Sequence, residues 1–352
     1  MMDHKERVKA FIKLGEFFRE YCEINKKDHF DISKHVWHRK LNDAIILAGH
    51  KNGWFTKENI IYALTSWGDL LTKANLEQWL SNYDLAKNQH KTVALIMAGN
   101  IPLVGFHDFV SVILSGNKAV IKLSSNDAIL LPFIASYLYE EMPSLKDEIE
   151  FTESTLEKFD AVIATGSDNT ARYFEHYFGH KPNVIRKNRN SIAIITGKES
   201  KEQLMALGED IFRYYGLGCR SVSKVFVPKG YKFDNFFEAI FDYNSIINQA
   251  KYANNYDYNK AVYLMSEFKI LENGFLMLKN DESYASPIAT LFYEEYRSLN
   301  ELKQRLLTDK EKIQCIVAND ILDDEIKFGQ TQKPSLTDYA DGVDTVEFLL
   351  KT

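Results

Sequence analysis

From residue 91 onward short apolar runs alternate with longer amphipathic stretches, and this order constrains the fold more than any other feature of the chain. Residues 92–98 (TVALIMA) form a continuous apolar run, as a strand buried on both faces requires. The spacing then predicts a helix over 104–114, a strand over 119–123, a helix over 128–141, a strand over 161–164 and a helix over 170–177. A second block opens with a strand over 191–196 and continues as helix 204–215, strand 224–227 and helix 233–247, with strands near 275–278 and 313–318. Residues 346–350 read as a last strand. Alternation of this kind implies an α/β protein with a parallel, doubly wound sheet, whose ligands bind at the carboxyl ends of the strands. Before residue 91 the pattern is helical: Val8, Phe11, Ile12, Leu14, Phe17 and Phe18 recur at helical spacing, and similar patterns run over 41–48 and 60–71.

A chain of 352 residues suits two domains of unequal size. The net charge of −6, with no basic stripe, argues against nucleic acid as a partner. The longest apolar stretches, such as 92–98 and 128–135, are far too short to span a bilayer. The opening Asp3-His4-Lys5-Glu6 carries no signal-peptide pattern. Three widely spaced cysteines, Cys22, Cys219 and Cys315, give neither a disulfide framework nor a metal-ligand spacing. These features lead to the expectation of a reduced, cytoplasmic protein without a metal site.

Four loops carry candidate chemistry. Gly99-Asn100-Ile101-Pro102-Leu103 follows the first strand. Gly116-Asn117-Lys118 leads into the second, which ends Lys122-Leu123-Ser124-Ser125. Thr165-Gly166-Ser167 leads from a strand into a helix, where small residues admit a ligand to the backbone and a helix N-terminus favours a phosphate. Taken alone, such a Gly-Ser pair reads as an ordinary turn. Gly216-Leu217-Gly218-Cys219-Arg220 lies between a helix and a strand; its glycines expose the sulfur, and Arg220 could stabilise a thiolate. Cys315, inside an apolar strand, and Cys22, on an amphipathic helix, read as inert core cysteines.

In this order and spacing the motifs resemble the aldehyde dehydrogenase superfamily. Within it, the chain is similar to the acyl-CoA reductase (LuxC-type) family, typified by the fatty-acid reductase of bacterial bioluminescence. The resemblance covers roughly residues 90–350. Gly99-Asn100-Ile101-Pro102-Leu103 stands where the superfamily has Trp-Asn-Phe-Pro, and the run from Gly116 to Ser124 matches its Gly-Asn-x-x-Val-x-Lys-Pro-Ser strand. Thr165-Gly166-Ser167 matches its Thr-Gly-Ser turn, and Gly218-Cys219 its nucleophile loop. Gln332-Lys333-Pro334-Ser335-Leu336 with Asp341-Gly342-Val343-Asp344 follows the reductase family's own pattern.

The resemblance implies an aldehyde-dehydrogenase-like fold: a helical N-terminus with a Rossmann-type dinucleotide-binding domain over 1–190, and an α/β catalytic domain over 191–330. The strand within 331–352 would return to the cofactor domain or join a neighbouring subunit, which would make the protein a homo-oligomer. The implied reaction is NADPH-dependent reduction of an acyl thioester, such as a fatty acyl-CoA, to an aldehyde. Cys219 would be the acyl-accepting nucleophile, and Asn100 would donate its amide to the oxyanion with the Cys219 backbone N–H. Lys122, Ser124, Ser125, Gly166 and Ser167 would bind the cofactor, Lys122 at the adenosine ribose and Gly166 and Ser167 at the pyrophosphate. An acyl-protein synthetase would be a partner.

The chain also departs from the superfamily. Its oxidising members place a water-activating Glu where Lys187-Asn188-Arg189-Asn190-Ser191 stands here. The Glu that normally holds the nicotinamide ribose falls at Ser283-Tyr284-Ala285-Ser286-Pro287, with Glu282 one place away. Ser125 occupies the position where NAD-preferring relatives often carry Glu, hence the expectation of NADPH. His107 and His180 could protonate a leaving group, although each reads first as a satisfied structural histidine. Arg172 reads as a solvated surface residue. Two rival readings are an aldehyde dehydrogenase working in the oxidative direction and a non-redox acyl carrier.

Overall fold

The structure is a computed structural model and describes residues 4–26 and 35–352. The chain forms two compact units, one running to Lys187 and taking in Ser335–Thr352, the other Asn188–Pro334.

The first unit begins with helices α1 (His4–Asn25), α2 (Val36–Lys51), α3 (Lys57–Leu70) and α4 (Lys73–Leu80). The last two start at Thr56 and Thr72, whose side chains accept from the backbone N–H three residues on, satisfying one of the amides left over at a helix start. There follow β1 (Thr92–Ile96), α5 (Phe106–Leu114), β2 (Lys118–Lys122), α6 (Leu130–Glu141), β3 (Ile149–Phe151), β4 (Ala161–Thr165), α7 (Asp168–Phe178) and β5 (Asn183–Arg186). The five strands are parallel in the order β3-β2-β1-β4-β5.

The apolar run at β1 is explained by burial on both faces. Val93 and Leu95 join a core with Phe11, Leu14, Phe109 and Ile121, while Ala94 faces Val162, Ala164 and Phe159 on the other side. At about 25 cal/mol per Å² of apolar surface removed from water, this two-sided burial is the main force holding the central strand.

The second unit comprises β6 (Asn190–Ile194), α8 (Lys201–Phe212), β7 (Val222–Pro228), α9 (Asp234–Ala239), α10 (Ala250–Met265), β8 (Ile270–Glu272), β9 (Met277–Asn280), β10 (Thr290–Tyr296), α11 (Leu299–Thr308) and β11 (Ile313–Val317). Its sheet has the order β11-β6-β7-β10-β9-β8, parallel except for the antiparallel β8–β9 pair. Ser200 and Gln203 form a reciprocal capping box at the start of α8.

The chain then re-enters the first unit and ends in α12 (Thr345–Lys351). This corrects the expected strand over 346–350. Asp344 caps the segment by accepting from Glu347 N at 2.9 Å, and Val346 and Leu349, three residues apart, are buried on one face. The cap and the helical spacing of the buried residues outweigh the β-rich composition.

Three further expectations differ. The helix over 204–215 stops at Phe212 because Tyr214 and Tyr215 take left-handed conformations, φ 55° and 59°. The helix over 233–247 is α9 followed by a 3₁₀ stretch, Phe241–Asn248. Helices α10 and α11 were not expected. The buried residues of α10 are Tyr252, Tyr256, Asn259 and Tyr263, a stripe without aliphatic residues, which apolar periodicity does not detect. Among the described residues no helix is long and apolar enough to cross a membrane.

Candidate active site

In the first unit, the strand order places β1 and β4 side by side where the chain reverses direction across the sheet, and open α/β sheets bind ligands at such a point. Ile96 lies level with Lys122 on one side and Ala164 on the other. The loops leaving β1, β2 and β4 therefore start abreast; Lys122 is the last residue of β2, and the loops contain Asn100, Ser124, Ser125, Gly166 and Ser167.

Gly99 brings the first two loops together. A Cβ there would stand 2.7 Å from Ser124 Oγ and 3.0 Å from Asp127 N, so only glycine lets the Asn100 loop rest on this turn. Ser124 shapes the turn, its carbonyl accepting from Asp127 N at 3.0 Å and its Oγ from Asn126 N at 3.2 Å. Asn100 and Ser125 are exposed. Lys122 Nζ lies 3.4 Å from the Ser154 carbonyl.

At the third loop Ser167 caps α7, its Oγ accepting from Thr170 N at 3.3 Å. A Cβ on Gly166 would meet Thr170 and Phe174 at 3.0 Å. This loop thus combines a bare backbone with the positive end of an 11-residue helix, a fit for a phosphate group.

Asp127 was not singled out in the sequence. Its carboxylate accepts from Leu103 N at 3.1 Å and so fixes the far end of the Asn100 loop, where Leu103 has φ 58°. Burial pushes its carboxyl up to about 6.

The second unit carries Cys219 on an exposed turn just before β7. Ser221 N donates to the Gly218 carbonyl at 3.0 Å, closing the turn. Ser191, on β6, donates its Oγ to the Cys219 carbonyl at 2.9 Å. Ahead of the turn, Tyr214, Tyr215 and Gly216 all have positive φ, and the two tyrosines are strained at a cost of about 1–2 kcal/mol each. The Arg220 guanidinium is committed to the Thr331 carbonyl.

Lys224, with no exposure, lies on β7 and donates to the carbonyls of Asp281 (3.0 Å) and Glu282 (2.8 Å) and to Glu294 Oε2 (2.8 Å). Ser223 Oγ donates to the Tyr284 carbonyl at 2.7 Å, so β7 holds residues 281–284 at several points. The one sequence signal for this was a lysine interrupting an apolar strand.

Other candidates have structural settings. His107 shares a hydrogen bond of 3.0 Å with the Leu336 carbonyl and lies among Trp67, Trp79 and Tyr339, and burial lowers its pKa. His180 and Arg172 are exposed. In the segment that lacks the superfamily's Glu, Lys187 pairs with Glu175 at 2.8 Å and Arg189 with Glu311 at 3.2 Å.

The chain has an aldehyde-dehydrogenase-like fold. Aldehyde dehydrogenase 21 from Physcomitrella patens, solved with succinate, superimposes with a TM-score of 0.69 at 12% identity, covering 99% of this chain and 84% of that one. An aldehyde dehydrogenase from Bacillus cereus, solved with NAD+, gives 0.62 at 13% identity, covering 90% and 72%. Within this class the chain belongs to the acyl-CoA reductase (LuxC) family, whose sequence model matches residues 33–242. It is 27% identical over 234 residues to the long-chain acyl-protein thioester reductase of Aliivibrio fischeri, covering 59% of this chain and 47% of the relative. It is 26% identical over 194 residues to long-chain acyl-protein thioester reductase 2 of Photobacterium leiognathi, covering 49% and 39%. The matched regions thus span less than half of these relatives' length.

Proposed function

We propose that this protein reduces an acyl thioester to an aldehyde with NADPH, carrying the acyl group on Cys219 in between. The observation that supports it best is the setting of Cys219. Of the three cysteines it alone is exposed, on a turn held by its own carbonyl, in a chain of the acyl-CoA reductase family. Cys22 and Cys315 are buried, and burial pushes the Cys22 thiol up, away from the reactive thiolate.

The Cys219 thiolate attacks the thioester carbonyl. A carbon–sulfur bond to Cys219 forms, the bond to the donor thiol breaks, and that thiol leaves as a thiolate. The Asn100 amide and the Cys219 N–H donate to the oxyanion as it develops. NADPH, when bound, supplies the hydride that turns the acyl carbon into an aldehyde. The tetrahedral oxyanion then collapses to the aldehyde, Cys219 leaves as the thiolate that begins the next cycle, and the donor thiolate released earlier takes up the one proton consumed.

Gly166 and Ser167 suit the cofactor's pyrophosphate, Lys122 its adenosine ribose, Ser124 lies in the same cofactor-binding turn, and Ser125 leaves room for a 2′-phosphate that a carboxylate would repel. The relatives' names add long acyl chains and a protein-bound thioester. The donor is accordingly acyl-CoA or an acylated protein, with an acyl-protein synthetase as partner.

The test is transfer of radiolabel from acyl-CoA. Wild type and the Cys22→Ala and Cys315→Ala variants take up label, and Cys219→Ala does not. Label retained in Cys219→Ala overturns the reading.

A further inference from the structure

Asp210 stands on α8 with no exposure to solvent. A buried carboxylate must be satisfied by donors, and this one accepts three bonds from a single segment of the same unit. These come from Gly329 N at 2.6 Å, Thr331 N at 2.9 Å and Thr331 Oγ1 at 2.8 Å. Thr331 is itself fully buried.

The segment so anchored turns back to the nucleophile. The Thr331 carbonyl accepts from Arg220 Nε, and Gln332 Nε2 donates to Ser221 Oγ at 3.3 Å. Both residues that follow Cys219 are therefore tied to residues 331–332, while Cys219's own carbonyl is tied to Ser191 on β6. The turn is clamped from two sides, and one of the two clamps hangs on Asp210. The left-handed run from Tyr214 to Gly216 fits this picture, because strain of that kind persists only where the surroundings impose it.

We infer that Asp210 is a positioning residue for the Cys219 turn, acting through residues 329–332. The inference rests on the reading of Cys219 as nucleophile. Asp210 touches neither substrate nor cofactor; it fixes the backbone that aims the sulfur and the Cys219 N–H. Attack on a carbonyl demands placement within a fraction of an ångström, and a shift of about 1 Å costs about 100-fold in rate.

Two substitutions loosen the clamp gently. Asp210→Asn keeps the shape but turns an amide N–H toward backbone donors. Thr331→Val keeps the volume and removes one of the three bonds, whereas Thr331→Ser keeps the hydroxyl. The intact protein is examined by three measurements: hydrogen exchange of amides 216–222, alkylation of Cys219 by iodoacetamide, and acyl transfer from acyl-CoA. Exchange in 216–222 should rise about 10-fold or more in Asp210→Asn and Thr331→Val, with the strands of both sheets still protected. Acyl transfer should fall about 10- to 100-fold at saturating acyl-CoA, with KM little changed. Alkylation, which needs no aimed approach, should stay within about threefold, and Thr331→Ser should recover most of the transfer rate. Unchanged exchange at 216–222 overturns the inference, as does loss of protection throughout the unit, which marks Asp210 as a general fold residue. A wild type that takes no label on Cys219 instead overturns the reading of the nucleophile, and the exchange result still judges the clamp.

Discussion

At Asp127 one side chain links the Asn100 loop to the pH of the solution. Burial raises its carboxyl from an unfolded value of about 3.8 to about 6. Between these values the folded chain holds a proton that the unfolded chain has released, so stability from this group rises as pH falls. It is fully present below about 4 and lost as pH climbs through about 6, a total of about 3 kcal/mol. In urea titrations between pH 4 and 8, Asp127→Asn should remove this slope and unfold at higher urea than wild type at pH 8. Identical pH profiles for the two proteins would falsify this reading of Asp127. The neighbouring motif was readable from residue types alone, because a Gly-Asn-x-Pro turn after an apolar strand is a local pattern. Asp127 and Asp210 were not, since an aspartate looks solvated until the fold buries it.

Among elements, α5, β5 and α12 are tied at one buried point. Arg186 at the end of β5 donates to Asp108 on α5 and, at 3.1 Å, to Thr345 Oγ1 on α12; Thr345 donates in turn to Asp108 at 3.4 Å. All three side chains are buried. Removing one partner of such a pair strands a charge in a poor solvent for it, at about 3–5 kcal/mol, whereas replacing both by apolar residues is often neutral. Asp108→Ala should therefore lower unfolding stability by about 3–5 kcal/mol, and Asp108→Leu with Arg186→Met should recover most of it. Chemical denaturation followed by tryptophan fluorescence reads both, and a loss under about 1 kcal/mol in Asp108→Ala would count against the linkage. From this junction residues 345–351 continue as a helix. Their sequence suits either structure, and the Asp344 cap with the socket under Val346 and Leu349 decides.

For the molecule as a whole, the proposed reaction on Cys219 sets its direction by whether water or hydride takes the acyl group. Attack by water needs a base, a contribution of about 10²–10⁴ in rate. The segment from Lys187 to Ser191 offers none: its cations pair with Glu175 and Glu311, and its serine holds the Cys219 carbonyl. Acyl-CoA without cofactor should release free acid slowly, and addition of NADPH should give stoichiometric aldehyde, both read by mass spectrometry. Rapid conversion of aldehyde and NADP to free acid would mark an oxidising dehydrogenase.

The sequence by itself determined the alternation of strands and helices and the family, and it supplied the candidate motif residues from Asn100 to Cys219. These are local signals, carried by periodicity and by residue types at fixed spacing. Only the tertiary structure decided which polar residues are buried and what they hold. The clamp from Asp210 to residues 329–332 joins positions more than a hundred residues apart, as does the tie between Arg186 and Thr345. No pattern along the chain encodes such pairs, because burial of a polar group is a property of the packed neighbours around it. The C-terminal helix and the tyrosine-lined α10 follow the same rule: where local preference is balanced or unusual, the partner surface selects the structure.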